Sequence, residues 1–453
     1  MLEIHITKGL RADKRDPERV RAKRVVKAID AGDFRDKMLP ADFIRPGATP
    51  MLPALRLSLV LLSALLLLTS AVAQDGRVSF SSAITSATIP YANSIAAGDI
   101  EHNGKDDVGV AAATGDDQFA CITLHGPLGP YWTWLGDGWG SAAYNCGIYR
   151  ADYPGSILLA DVNLDGNLDV ITTNQEWIDT DIAFGDGHGK FTNGVSLEFA
   201  CGDNTPAQAA VADMNGDGIP DVVVIYAGYR DVTGCVAVFL GKSGGEFGPP
   251  IGSSSGGDEP ITFAVGDLNN DGIPDLVIGN NGGIDGITGN LAIMLGKGDG
   301  TFRPPVLYSA PTYTYFSRVL LADFNRDGTL DLAFTNYHTI YVALGKGDGT
   351  FSSPHPFNVR SGEGSLVAAD LNGNDILDLV TTIDTGRSGG VAVFLGNGDG
   401  TFQPATEFKT GVNPTPAIGD FNGDGKPDIA TVNGNSTLSI LLNTTRNSHA
   451  AGP

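Results

Sequence analysis

The chain carries no nucleophile elbow, no zinc motif and no phosphate-binding loop, so no motif marks it as a hydrolase, metalloprotease or nucleotide enzyme. Basic residues are scarce. Against 52 Asp and Glu there are 29 Lys and Arg, a formal net charge of −23. That balance disfavours nucleic acid as a partner, because affinity for phosphate depends on neutralisation by Lys and Arg. Cysteine is limited to Cys121, Cys146, Cys201 and Cys235. An even count in an exported chain favours two disulfides over metal or catalytic thiols. Of the three pairings, Cys121 with Cys146 and Cys201 with Cys235 is expected, since each would join neighbouring loops. Aromatic residues make up 8% of the chain, whereas Gly (61) and Pro (25) abound, a composition suited to many short strands joined by tight turns.

Long apolar runs are also missing, with one exception at Leu57 to Leu68. At twelve residues it falls short of the roughly 17 to 25 that a membrane span needs. It follows Met51-Leu-Pro-Ala-Leu-Arg56 and precedes Ala71-Val-Ala73, so residues 51–73 read as a secretory signal peptide. No Cys follows the cleavage point, which argues against a lipoprotein anchor. Residues 1–50 hold 12 Lys/Arg against 8 Asp/Glu and none of the later repeats. They are read as a non-native or unstructured extension ahead of the true initiator Met51; a cytoplasmic tail on an uncleaved anchor is the weaker reading. The mature chain would then hold 16 Lys/Arg against 44 Asp/Glu. It is expected to be secreted or on the cell surface, with no membrane span.

One pattern recurs seven times, with oxygen-bearing side chains at positions one, three, five and nine. Its copies are Asp99, Glu101, Asn103 and Asp107; Asp161, Asn163, Asp165 and Asp169; Asp213, Asn215, Asp217 and Asp221; and Asp267, Asn269, Asp271 and Asp275. The last three are Asp323, Asn325, Asp327 and Asp331; Asp370, Asn372, Asn374 and Asp378; and Asp420, Asn422, Asp424 and Asp428. Hard oxygen ligands at this spacing suit Ca²⁺, and the freely varying position seven suits a backbone carbonyl ligand. Several calcium ions, up to seven, are expected. The loop is no EF-hand: Val224 stands where position twelve needs a bidentate Glu. Asx turns alone would not fix four oxygens at constant offsets. Glu101 in the first copy, and Asp375 where the other copies have Gly, mark the two loops expected to be weak or empty; Asp375 must take positive φ.

The copies are separated by 62, 52, 54, 56, 47 and 50 residues. Between them lies a strand running into a turn, clearest at Leu291 to Phe302 with its Gly-Asp-Gly-Thr-Phe ending, which reads as a hairpin. Each unit thus supplies four antiparallel strands. Seven such units predict an all-β, seven-bladed β-propeller over residues 74–443, with a disordered tail at 444–453. Because the chain ends after a third strand, residues 77–90 are expected to supply the missing fourth strand and close the last blade.

These loops and hairpins resemble the FG-GAP (VCBS-type) repeats of the integrin α-chain propeller over roughly residues 77–443. The resemblance implies calcium loops on one face and ligand binding on the opposite face. A monomeric, secreted binding or adhesion module for extracellular protein or carbohydrate is therefore expected, with structural Ca²⁺ and no catalytic residues. The alternative is a polysaccharide lyase or hydrolase, for which His125, His188, His338 and His355 would be the candidates. Trp132, Trp134, Trp139 and Tyr131, within the insertion 126–155, offer a possible sugar-stacking surface.

Overall fold

The computed structural model describes residues 77–445 apart from 89–91, 113–122, 127–128, 132–153, 175–177, 203, 229–232, 283–288, 309–314, 337, 360–363 and 387. The expected signal peptide, the extension before it, Cys121, Cys146 and the three tryptophans of the insertion lie outside these residues. The described residues are all β, without helix, and build a β-propeller. None of them forms a helix long and apolar enough to cross a membrane.

Among the described residues there are seven four-stranded antiparallel sheets, plus one short hairpin, Gly241–Lys242 with Glu246–Phe247. In six sheets the strands follow chain order. The fourth repeat shows the pattern: Pro260–Gly266, Asp275–Asn280, Asn290–Met294 and Val306–Tyr308, paired in sequence. The remaining sheet joins the first and the last three described strands. Thr415–Gly419, Asp428–Asn433 and Thr437–Leu441 are followed by Ile84–Ala87, with Ile84 opposite Ile440 and Ala87 opposite Thr437. Further along this edge, Thr444 and Thr445, expected to fall in the tail that follows residue 443, are hydrogen bonded to Ser79.

The second strand of each unit is a near-continuous apolar run because both of its faces are covered. In Asp275–Asn280 every residue is buried. Leu276 and Ile278 pack with Val223 and Val238 of the third repeat, while Val277 packs with Val319 and Leu332 of the fifth. Such a strand cannot alternate apolar and polar residues without burying the polar ones. The first strands touch from one repeat to the next, and Thr415–Gly419 touches Ala92–Gly98 in turn.

Two further devices join neighbouring repeats. The phenylalanine ending each hairpin covers position two of the preceding loop: Phe191 packs with Ile100, Phe302 with Met214 and Phe351 with Leu268. Each such ring, when fully buried, contributes roughly 1.5–3 kcal/mol. The second device lies five residues ahead of each loop. The side chains of Ser94, Ser156, Gln208 and Thr262 accept the backbone N–H of Ile157, Ala209, Phe263 and Val319, each in the following repeat. That latch then stops. Arg318, next in the series, has no acceptor to offer; after it comes Ser365, whose hydroxyl is buried without a partner, opposite Pro416, which has no N–H.

Candidate metal centres

Each loop is a nest of backbone donors around its acidic and amide side chains. In the third repeat the Asp213 carboxylate accepts the N–H groups of Gly216, Asp217 and Gly218, while Asn215 accepts Asp217 N–H and Asp217 accepts Ile219 N–H. Asn215 also donates its amide to the other Asp217 oxygen, at 3.0 Å. The turn requires left-handed backbone twice. Position six is Gly218 at φ 81°, and in the sixth repeat Asp375 takes φ 62°, as its place in the pattern requires. Position four is left-handed in every loop as well: His102, Leu164, Gly216, Asn270, Arg326, Gly373 and Gly423 all have φ between 54° and 78°. Gly at position four in three copies was the available signal for this.

Position nine behaves differently from the other three. Its carboxylate is buried beneath the loop in all seven repeats. One oxygen accepts the N–H of position two, as in Val162 to Asp169 (2.9 Å), Met214 to Asp221 (2.7 Å) and Phe421 to Asp428 (3.1 Å). The other accepts the N–H at the end of the third strand, from Gly185, Gly241, Gly296, Gly345, Gly396 and, in the seventh repeat, Asn443. Those glycines are needed for the approach: a Cβ on Gly296 would lie 2.3 Å from the Pro274 carbonyl oxygen. Position nine therefore staples the loop to the sheet.

Burial pushes this carboxyl up, to about 6 in Asp107, Asp169, Asp331 and Asp428 and to about 7 in Asp378. Its two N–H donors oppose the rise, and the carboxylates at positions one and five add to it in the second, third, fourth, fifth and seventh repeats. Three negative groups thus lie within one another's field, which a divalent cation would relieve. The donor set fits a hard cation: side-chain oxygens stand at positions one, three and five of each loop, above the buried position nine. In the sixth repeat the Asn372 side-chain oxygen is buried with no hydrogen-bond donor. Position nine could take part only by sharing an oxygen already accepting an N–H. Consistent with that inward turn, no three His, Cys, Asp or Glu side chains among the described residues form a metal-holding group.

The first and sixth loops, whose metal sites are expected to be weak or empty, keep the same backbone as the others. Asp99 accepts from Asn103 and Gly104, and Asp370 accepts from Gly373, Asn374 and Asp375. The Glu101 carboxylate receives the Asn103 amide at 3.3 Å. The first and seventh loops are tied directly, with Asp106 N–H donating to the Asp420 carbonyl and Asp420 N–H donating to the Asp106 carboxylate.

Five overlapping or adjoining stretches, 161–224, 213–278, 282–334, 323–381 and 382–444, match the family described as FG-GAP-like repeat. The chain belongs to the FG-GAP-like repeat family. Each of its matched stretches begins or ends close to one of the loops above, so the family's unit and the structural repeat coincide. No curated protein matches this FG-GAP-like chain. Among solved structures, an Agrocybe aegerita lectin described by its specific recognition of non-reducing terminal N-acetylglucosamine is 20% identical. It aligns with a TM-score of 0.49 over 79% of this chain and 86% of that one.

The remaining expected features are scattered. Cys201 and Cys235 form a disulfide, with Cα atoms 6.4 Å apart. His188 is exposed at a hairpin tip, where Asp186 holds its backbone N–H at 2.8 Å. His338 is exposed in the turn before Thr339–Ala343, and His355 is exposed at the start of the outer strand His355–Asn358, against the Phe357 ring. His125 and Tyr131 lie in the first sheet's outer strands, Thr123–Gly126 and Gly129–Tyr131. The Gly-Asp-Gly turns spend their carboxylate locally: Asp299 accepts both the N–H and the hydroxyl of Thr301.

Proposed function

We propose that this FG-GAP-like protein is an exported, calcium-stabilised propeller of seven blades, closed by its N-terminal strand, that serves as a binding or adhesion module for extracellular protein or carbohydrate. The observation that carries this reading is the uniformity of the loops. All seven hold side-chain oxygens at the same three positions over the same buried carboxylate, and a feature repeated at every corner is suited to supporting the body. The pairing of Ile84–Ala87 with Thr437–Leu441, together with the tie between Asp106 and Asp420, supports closure, because a linear array would have no reason to join its ends.

When bound, Ca²⁺ would supply charge compensation. Asp, Asn and Asp at positions one, three and five, with the carbonyl of position seven, would hold it. Ligand binding is then assigned to the parts that do not repeat and to the face away from the loops. Calorimetry tests the metal role: a cation that binds only the folded form stabilises it by about 2.7 kcal/mol per site at a hundredfold excess over Kd. Chelator is expected to lower the melting temperature, and added Ca²⁺ to restore it. An unchanged melting curve after verified metal removal refutes a structural role for calcium. Binding without turnover on an extracellular-matrix and glycan array tests the module itself, and release of product would refute it.

A further inference from the structure

A cavity of about 330 Å³ lies against the first strands of the second to sixth repeats, lined mainly by Ala, Val, Leu and Phe side chains, with Gln208, Asp267 and Arg318 as its polar and charged members. Gln208 is satisfied, its amide exchanging two hydrogen bonds with the Phe263 backbone. The Arg318 side chain is half-buried and, among the described residues, makes no hydrogen bond or ion pair, although it occupies the place where four other repeats carry the latch acceptor. Burial pushes its guanidinium down to about 10, so it stays cationic at neutral pH. A charged fork partly withdrawn into an apolar wall leaves its five N–H donors without a protein acceptor, a place a ligand's oxygens can take.

We infer that Arg318 is the anchor of a carboxylate-binding site at the end of this cavity away from the metal loops, whose Asp267, Pro274 and Leu330 line the other end. The site rests on the reading of the chain as a binding module. Arg318 opens its strand, Arg318–Ala322, whereas the fifth metal loop follows that strand at Asp323. The planar fork matches two carboxylate oxygens in parallel. Arg318 is the charged lining residue at its end of the cavity, with Asp267 at the other, and one cation there balances one negative charge on the ligand. A phosphate dianion would be left half-compensated in a chain that is already strongly acidic, and no second cation lines the cavity. The volume accommodates a group of monosaccharide size, so the fitting ligand is a small carboxylate, free or carried on an acidic sugar.

Isothermal titration of the intact, calcium-loaded protein with glucuronate, acetate, glucose and inorganic phosphate tests this. Glucuronate is expected to bind, and Arg318→Gln to weaken it by at least about tenfold, as loss of a desolvated charge partner does. Arg318→Lys should retain intermediate affinity, because an ammonium keeps the charge without the fork. Acetate binding with glucuronate excluded would assign the site to a free acid, and glucuronate binding tighter than acetate to an acidic sugar; both uphold the carboxylate. Folding of Arg318→Gln is expected to be preserved or improved. Gln208 shows that this side chain can latch the next repeat, here at Leu366 N–H, so the melting temperature should hold or rise while affinity falls. The proposal is overturned if Arg318→Gln binds glucuronate within about threefold of wild type. It is equally overturned if wild type binds neither carboxylate, or binds phosphate more tightly than both. A protein that binds neutral glycans yet no carboxylate removes the Arg318 site alone and leaves the binding-module reading standing.

Discussion

Replacing Asp275 with Asn separates the staple at position nine from any metal held above it. The two carboxylate oxygens accept Leu268 N–H at 3.0 Å and Gly296 N–H at 2.7 Å. An amide keeps one acceptor and turns an NH₂ toward the other donor. The loss comprises one charge-assisted hydrogen bond, about 1.5–3 kcal/mol, and one buried donor left unsatisfied, about 1–3 kcal/mol. Removing a carboxyl whose ionisation burial already disfavours offsets part of this. A net destabilisation of about 3 kcal/mol follows. With an unfolding entropy of about 2.1 cal/mol/K per residue over roughly 370 residues, that corresponds to a fall of about 4 °C in the melting temperature. Scanning calorimetry in chelator is the assay. Asp271→Asn at exposed position five should be nearly silent in chelator and lower the melting temperature only when Ca²⁺ is present. A shift below about 1 °C for Asp275→Asn in chelator would refute the staple, because the hydrogen bonds it breaks do not depend on metal.

Two other perturbations probe strain and burial. Leu164 takes φ 61° at position four with 55% of its surface exposed, so Leu164→Gly should stabilise the protein by about 0.5–1 kcal/mol despite the greater freedom Gly gives the unfolded chain; a lower melting temperature would count against this. Asp181, pushed up to about 6 by burial and then by neighbouring Asp179, binds its proton more tightly folded than unfolded. Its contribution to stability is present below its ordinary value of 3.8 and is lost as pH rises through about 6. Asp181→Asn, which keeps an acceptor for the Asn174 amide, should therefore be more stable than wild type at pH 7.5 by about 1–3 kcal/mol and lose that advantage near pH 4. An advantage that does not change with pH would exclude the titration.

The sequence by itself determined what is local. Asp, Asn and Gly at fixed offsets dictate the loop because their side chains bond backbone donors two to five residues away, and the Gly-Asp-Gly-Thr-Phe hairpins follow in the same way. Positive φ at Asp375 was legible for that reason. The recurrence of these pieces every fifty or so residues also made the sheets countable. Tertiary structure alone decided what depends on a partner in another repeat. Position nine looks like a fourth exposed ligand in the sequence, yet packing of position two beneath the next hairpin turns it inward, where its oxygens meet N–H groups up to twenty-one residues away. The polar residue five places before each loop reads as unremarkable strand chemistry until the N–H it accepts is found on the neighbouring repeat, 53 to 63 residues on. Only against that series does Arg318 stand out, because what distinguishes it is a hydrogen bond its neighbours make and it cannot.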